Sequence, residues 1–182
     1  ALSAVLDVLD TNEELQDDFC LPGTSFKPDN RSGKNWSQNQ FTVGTRTVAG
    51  IKSPTMVAVG KGGKILSRDC DIIIADDIED HQTTMQPGAR ESTRQWWTTT
   101  LSSRKEEHTA VIVIGSRQHP DDLYNHLLES DNFTSIVETA HALDCEIPEH
   151  LEDEHVDCML WSNKRSFKWL RSRLHSAEST GG

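Results

Sequence analysis

The seven residues Asp71-Ile72-Ile73-Ile74-Ala75-Asp76-Asp77 constrain this chain more than any other stretch. Three β-branched residues in succession favour extended backbone, and an unbroken apolar run of this length reads as a strand covered on both faces of a parallel sheet. The run stops on two carboxylates, which marks the strand's end. Ala110–Ile114 is a second such run, ending at Gly115-Ser116-Arg117. Between them residues 89–105 read as helical, with Trp96, Trp97 and Leu101 as apolar bulk. Adjacent tryptophans cannot share one helix face, so one of them belongs to the core. Pro120 suits a helix start, Leu123, Leu127 and Leu128 follow at helical spacing, and Phe133–Val137 reads as a third strand. Strand, helix, strand, helix, strand predicts an α/β domain with a mostly parallel sheet flanked by helices.

The remaining segments are simpler. Leu2, Val5, Leu6 and Leu9 predict a first helix, Glu13–Phe19 a second, and the stretch 22–40, rich in Gly, Pro, Ser, Asn and Lys, an exposed loop. Phe41, Val43 and Thr45 alternate like a strand, and Thr55–Val59 is extended before the Gly60–Lys64 turn. Leu160 to Leu174 reads as an amphipathic helix with a basic face, and this separates residues 1–160 from a helical linker at 161–182. No apolar run approaches the roughly 20 residues of a membrane span. Four scattered cysteines without a CxxC pair indicate neither a disulfide framework nor a zinc knuckle, and a reducing setting is the expectation.

Net charge is −11, but it is unevenly spread. Residues 1–70 carry 8 basic and 8 acidic groups, and 71–130 carry 5 and 11. Residues 131–160 carry nine acids and no Lys or Arg, while 161–182 swing back to +4. The first acidic excess coincides with the residues best suited to chemistry. Ligands of an open parallel sheet sit beyond the carboxyl ends of its strands, here Asp76-Asp77 and Gly115-Ser116-Arg117. Apolar residues followed by two acids form a Walker B pattern, whose first carboxylate holds Mg2+ and whose next acid activates water. A solvated or helix-capping aspartate at a strand end has the same local sequence. At the second strand end a glycine permits close backbone approach, Ser116 offers a hydroxyl and Arg117 a charge for phosphate, and Asp121 or Asp122 suits a helix N-terminus.

Three further groupings have competing readings. His141, Cys145, His150, His155 and Cys158 are dense enough for zinc but match no common finger spacing, and acidic loops containing His are usually solvated. Asp76, Asp77, Glu79 and Asp80 could belong to a two-metal nuclease site, which would need acids from other strands. The basic residues between 164 and 173 could meet DNA phosphates or simply water.

The block Ile72–Asp80, then Arg90, Trp96 or Trp97, Leu101 and Arg104, then Ile112–Tyr124, resembles the large terminase subunit of tailed bacteriophages. Leu160-Trp161 with its following helix resembles the end of that family's ATPase domain, and Asn12, Leu15 and Phe19 fit the helices before its central strands. The resemblance implies a P-loop ATPase fold of the additional-strand catalytic-glutamate type. It implies ATP and Mg2+ as cofactors, with Asp76 the metal ligand, and Asp77 the catalytic carboxylate where many relatives have Glu. Glu79 is a second candidate for that acid. Ser116 and Arg117 match the motif that couples nucleotide state to DNA movement, and Arg68 lies near where relatives offer an arginine to a neighbouring subunit's nucleotide. The implied partners are double-stranded DNA, the portal protein, the small terminase subunit and further copies in a ring on the procapsid, in the host cytoplasm.

No G-x-x-x-x-G-K-[ST] loop occurs: Gly33-Lys34 is followed by Asn35, with Pro28 where the first glycine belongs. In the family that loop lies upstream and a nuclease domain downstream. The expectation is therefore an internal piece of a longer polypeptide, binding ATP poorly by itself. A helicase-like translocase, and a non-catalytic assembly module without a phosphate loop, are the alternative expectations.

Overall fold

The computed structural model describes residues 2–48, 50–51, 53–63, 65 and 70–180, of which 175–180 are described by backbone alone. The chain divides into two compact units, Ala1–Ser130 and Asp131–Gly182. Arg68 lies outside the described residues.

The first unit opens with α1 (Ser3–Thr11) and α2 (Glu13–Phe19). Asn12 separates them and caps α2, its side chain accepting from Leu15 N–H at 2.9 Å. Leu2 and Leu6 are buried with Phe41, and Leu9, Trp36, Val43, Met56 and Ala58 pack around them. Phe41 belongs to β1 (Gln40–Phe41), which pairs antiparallel with β2 (Met56–Val57). The strand expected through Thr45 is shorter, because the chain leaves the ladder after Phe41. Val43 N–H turns to the Thr55 hydroxyl at 3.1 Å, and Gly44 N–H to Phe26 O at 2.6 Å.

The parallel pair that the sequence predicts is present. β3 (Cys70–Asp76) and β4 (Lys105–Ile114) run parallel, with Ile72 opposite Ala110 and Asp76 opposite Ile114. Their start is irregular, since the register jumps between Cys70 and Ile72. Thr109 fills the irregularity, its hydroxyl donating to Cys70 O at 2.6 Å and accepting from Glu106 N–H at 2.8 Å. The two strands are joined by α3 (His81–Thr84) and α4 (Pro87–Trp96), the latter with Pro at its first position. A wide π turn, Trp97–Leu101, and a 3-10 turn, Ser102–Arg104, complete the crossover. Trp97 and Leu101 are buried and Trp96 only half so, in line with one tryptophan entering the core. The mixed α/β class is therefore correct, with a two-stranded parallel sheet.

Three expectations about this region fail. The strands are not covered on both faces: Ile72, Ile74, Ile112 and Ile114 keep 60, 55, 47 and 53% exposure, while Ala75 on the opposite face is buried. β-branched residues suit any extended backbone, so composition could not distinguish one covered face from two. Residues 133–137 form no strand, and Ile136 and Val137 are exposed. Strand propensity without a hydrogen-bonding edge yields no ladder. Pro120 stands in a turn three residues before α5 (Leu123–Leu128), whose cap is Asp122.

The second unit is mostly irregular. His141 and Met159 form an antiparallel bridge, Glu152–Cys158 is a 3-10 helix, and α6 spans Phe167–Thr180. The basic helix thus starts later than expected, after a turn at residues 160–165. Arg165 and Arg173 lie over the Trp169 ring at 4.5 and 5.4 Å. Arg171 meets Glu149 and Glu152 at 3.6 and 3.4 Å, so part of the basic face answers acids of its own unit. Cys145 and Cys158 are joined as a disulfide, against the expectation of none. The two cysteines stand 13 residues apart, without the short spacing of a CxxC pair, and the fold brings their Cα atoms to 5.9 Å. Among the described residues no helix is long and apolar enough to cross a membrane.

Gly115 follows β4 directly, and a Cβ there would enter the ring of buried Tyr124. Gly115→Ala is expected to cost about 1–3 kcal/mol through overpacking. Urea unfolding checks this, with Gly115→Ala/Tyr124→Leu recovering part of the loss.

Candidate functional site

Parallel pairing brings the two strand ends to one edge. Asp77 N–H donates to Ile114 O at 3.0 Å, so the backbone carrying Asp76-Asp77 and that entering Gly115-Ser116-Arg117 leave the sheet side by side. Asp76, Asp77, Ser116 and Arg117 are all exposed, and no hydrogen bond or ion pair fixes their side chains among the described residues. Asp76 stands on the same face as the exposed isoleucines, since alternation places 72, 74 and 76 together.

Asp77 is the single non-glycine residue at positive φ among the described residues, at 44°. Left-handed backbone costs an L-residue roughly 1 kcal/mol or more, though Asp tolerates it better than most. The kink turns the chain sharply out of β3, leaving one carboxylate on the strand and the next beyond it.

Beneath this exposed edge lies a buried polar scaffold. Glu79 is only 5% exposed, and its carboxylate accepts from Leu123 N–H, the first residue of α5, at 2.7 Å. Asp122, 1% exposed, accepts from Gln118 N–H at 2.8 Å, His119 N–H at 3.1 Å and Asn125 N–H at 2.7 Å. The loop after β4 is thereby folded around one carboxylate. On its outer side Asp121 receives Arg90 Nε and Arg94 Nη1, each at 3.0 Å, while Arg90 also donates to Thr84 O at 2.6 Å. α4 therefore clamps the loop from one face, through two arginines one helical turn apart.

The hydrogen bond from Arg90, with both arginine charges adding, holds the Asp121 carboxyl below its ordinary value. Burial pushes Glu79 above its own, with the charge of Asp122 adding, while the Leu123 amide opposes. Glu79 is thus occupied in holding α5 and withdrawn from solvent, whereas Asp77 is open to it. Asp122 caps α5, as one of the two aspartates expected at that helix N-terminus, whereas the scaffold roles of Arg90, Glu79 and Asp121 escaped the sequence reading. The Arg90/Arg94 spacing was the available signal for the clamp, and nothing local marks Glu79 as buried.

Two outcomes follow from this arrangement. A carboxyl raised by burial contributes to stability below the ordinary carboxylate range, and loses that contribution as pH rises through its raised value. Glu79→Gln retains an acceptor for Leu123 N–H and is expected to flatten this decline, read from urea midpoints across the weakly acidic range. Asp77→Gly relieves the left-handed backbone and is expected to leave stability unchanged or raise it by up to about 1 kcal/mol. A clear loss would show that the Asp77 side chain holds the fold. Neither protein-family models nor curated proteins give a match to this chain.

Proposed function

We propose that the chain is part of the ATP-hydrolysing motor domain of a phage terminase large subunit, a P-loop ATPase of the additional-strand catalytic-glutamate type that moves double-stranded DNA into a procapsid. The observation carrying this reading is the in-register end of β3 and β4, which sets Asp76-Asp77 beside Gly115-Ser116-Arg117. Adjacent exposed carboxylates with a neighbouring hydroxyl are hard oxygen donors of the kind Mg2+ takes. Asp76 is the metal ligand in this reading. Asp77, carried out of the strand by its kink, is the acid that orients or deprotonates water. The burial of Glu79 favours Asp77 over it for that role. Ser116 and Arg117, on a loop fixed from below by Asp122 and from the side by Arg90 and Arg94, respond to phosphate charge. When bound, Mg2+ neutralises phosphate charge during transfer. The phosphate cradle has to come from residues outside this sequence. The portal protein, the small terminase subunit and further copies of the motor are the partners of this reading, and the host cytoplasm its location.

The test uses the motor polypeptide that joins this segment to its phosphate loop. Asp77→Ala is expected to abolish DNA-stimulated ATP hydrolysis, a loss of at least about 100-fold, while nucleotide binding persists. Retained turnover overturns the role of Asp77. Normal turnover in Asp76→Ala as well would remove the site altogether.

A further inference from the structure

We propose that His141, Cys145, His155 and Cys158 form a structural zinc site when the two cysteines are reduced, with the disulfide as its metal-free alternative. All four belong to the second unit. Their ligand atoms lie within 4.8 Å of one another. A tetrahedral zinc ion with bonds of about 2.0–2.3 Å holds its ligand atoms about 3.3–3.8 Å apart. His141 Nε2 lies 2.9 Å from His155 Nδ1, and Cys145 Sγ lies 3.5 Å from the same nitrogen. His155 Nδ1 therefore has one other donor at ligand spacing and one at hydrogen-bonding distance just inside it, and separation of the two sulfurs opens room for the ion.

The surroundings select the metal-binding tautomer of His155, and the 2.9 Å contact then puts a proton on His141 Nε2, which moves to His141 Nδ1 when Nε2 binds the ion. His155 Nε2 lies 3.3 Å from Pro148 O, an acceptor only, so the proton resides on Nε2 and Nδ1 presents its lone pair inward. A histidine ligand held through its other nitrogen by a carbonyl is the usual outer support of a zinc site. His155 is 1% exposed and stacks on Phe167 at 3.7 Å, with His141 4.8 Å from the same ring. Backbone bonds Ala142 N–H to Cys158 O at 2.8 Å and Leu160 N–H to Ala140 O at 3.2 Å fix His141 and Cys158 on facing segments. His150, the fifth member of the sequence grouping, is exposed and outside the cluster.

Charge and size support the same conclusion. Zn2+, two thiolates and two neutral imidazoles sum to zero, which suits a half-buried centre. The described hydrophobic core of this unit is Met159 and Phe167, too little to stabilise about fifty residues without a staple. Interconversion balances simply. A dithiol reductant gives two electrons and two protons to the Cys145–Cys158 bond and becomes a disulfide itself. The two thiols then release their protons to water as their thiolates bind Zn2+.

The experiment takes the full chain, reduces it with a phosphine, saturates it with zinc, desalts it and measures metal by mass spectrometry. About one zinc per chain is expected, unchanged in His150→Ala and lost in Cys145→Ser/Cys158→Ser and in His155→Ala. Cobalt titration of the reduced wild-type chain reads the site without relying on variants, and should give a thiolate charge-transfer band with strong tetrahedral visible bands. The oxidised chain should give neither. A reduced chain that holds no more zinc than the double serine variant, a pale octahedral cobalt spectrum, or equal binding by the oxidised chain overturns the proposal.

Discussion

The hydrogen bond from Leu123 N–H to the Glu79 carboxylate, at 2.7 Å, ties the turn after β3 to the helix after β4. Both turns leave the same sheet edge, and each carries one half of the exposed polar site. Without that tie the strand ends would still be neighbours through Asp77 and Ile114, but holding the chains beyond them would fall to the Arg90 and Arg94 bonds to Asp121. Burying a carboxylate for this purpose raises the energy of its charged form, which the Leu123 amide only partly offsets. Asp122 performs the same service inside the β4–α5 loop with three amide donors. Exposed residues whose side chains are unpartnered among the described residues thus stand on a floor of two buried carboxylates held by backbone amides.

Local signals were legible in the sequence wherever the stabilising contacts are local. The α1 spacing of Leu2, Val5, Leu6 and Leu9, the span Glu13–Phe19 and the extended run ending at Asp76 all appear as read. The parallel pairing of β3 with β4 followed from the intervening helix, which forces a crossover. Failures fall where a distant partner decides. Phe133–Val137 has the composition of a strand but no ladder, and the isoleucine runs do not say how many of their faces are covered. Glu79 looks like its acidic neighbours in the sequence, yet it is buried and accepts a hydrogen bond from a residue 44 positions away.

The second unit follows the same rule. Its His and Cys residues are spaced unlike a common finger, so their convergence had no local signature. The convergence comes from the His141–Met159 bridge, the 3-10 helix Glu152–Cys158 and the Phe167 ring. Its acidic stretch likewise acquires meaning only in three dimensions, where Glu149 and Glu152 engage Arg171. A basic stripe that reads as a phosphate-binding face is in part neutralised within its own unit.

Ile72, Ile74, Ile112 and Ile114 form two adjacent rows of branched side chains on one side of a two-stranded ribbon. Two strands alone are marginal in water, so the ribbon depends on its buried side and on the turns that clamp its ends. Branched side chains left in contact with solvent forgo the stabilisation that burying them would give. Asp76 closes that same row, opposite Ile114. The first carboxylate of the polar edge is therefore also the rim of an exposed apolar strip.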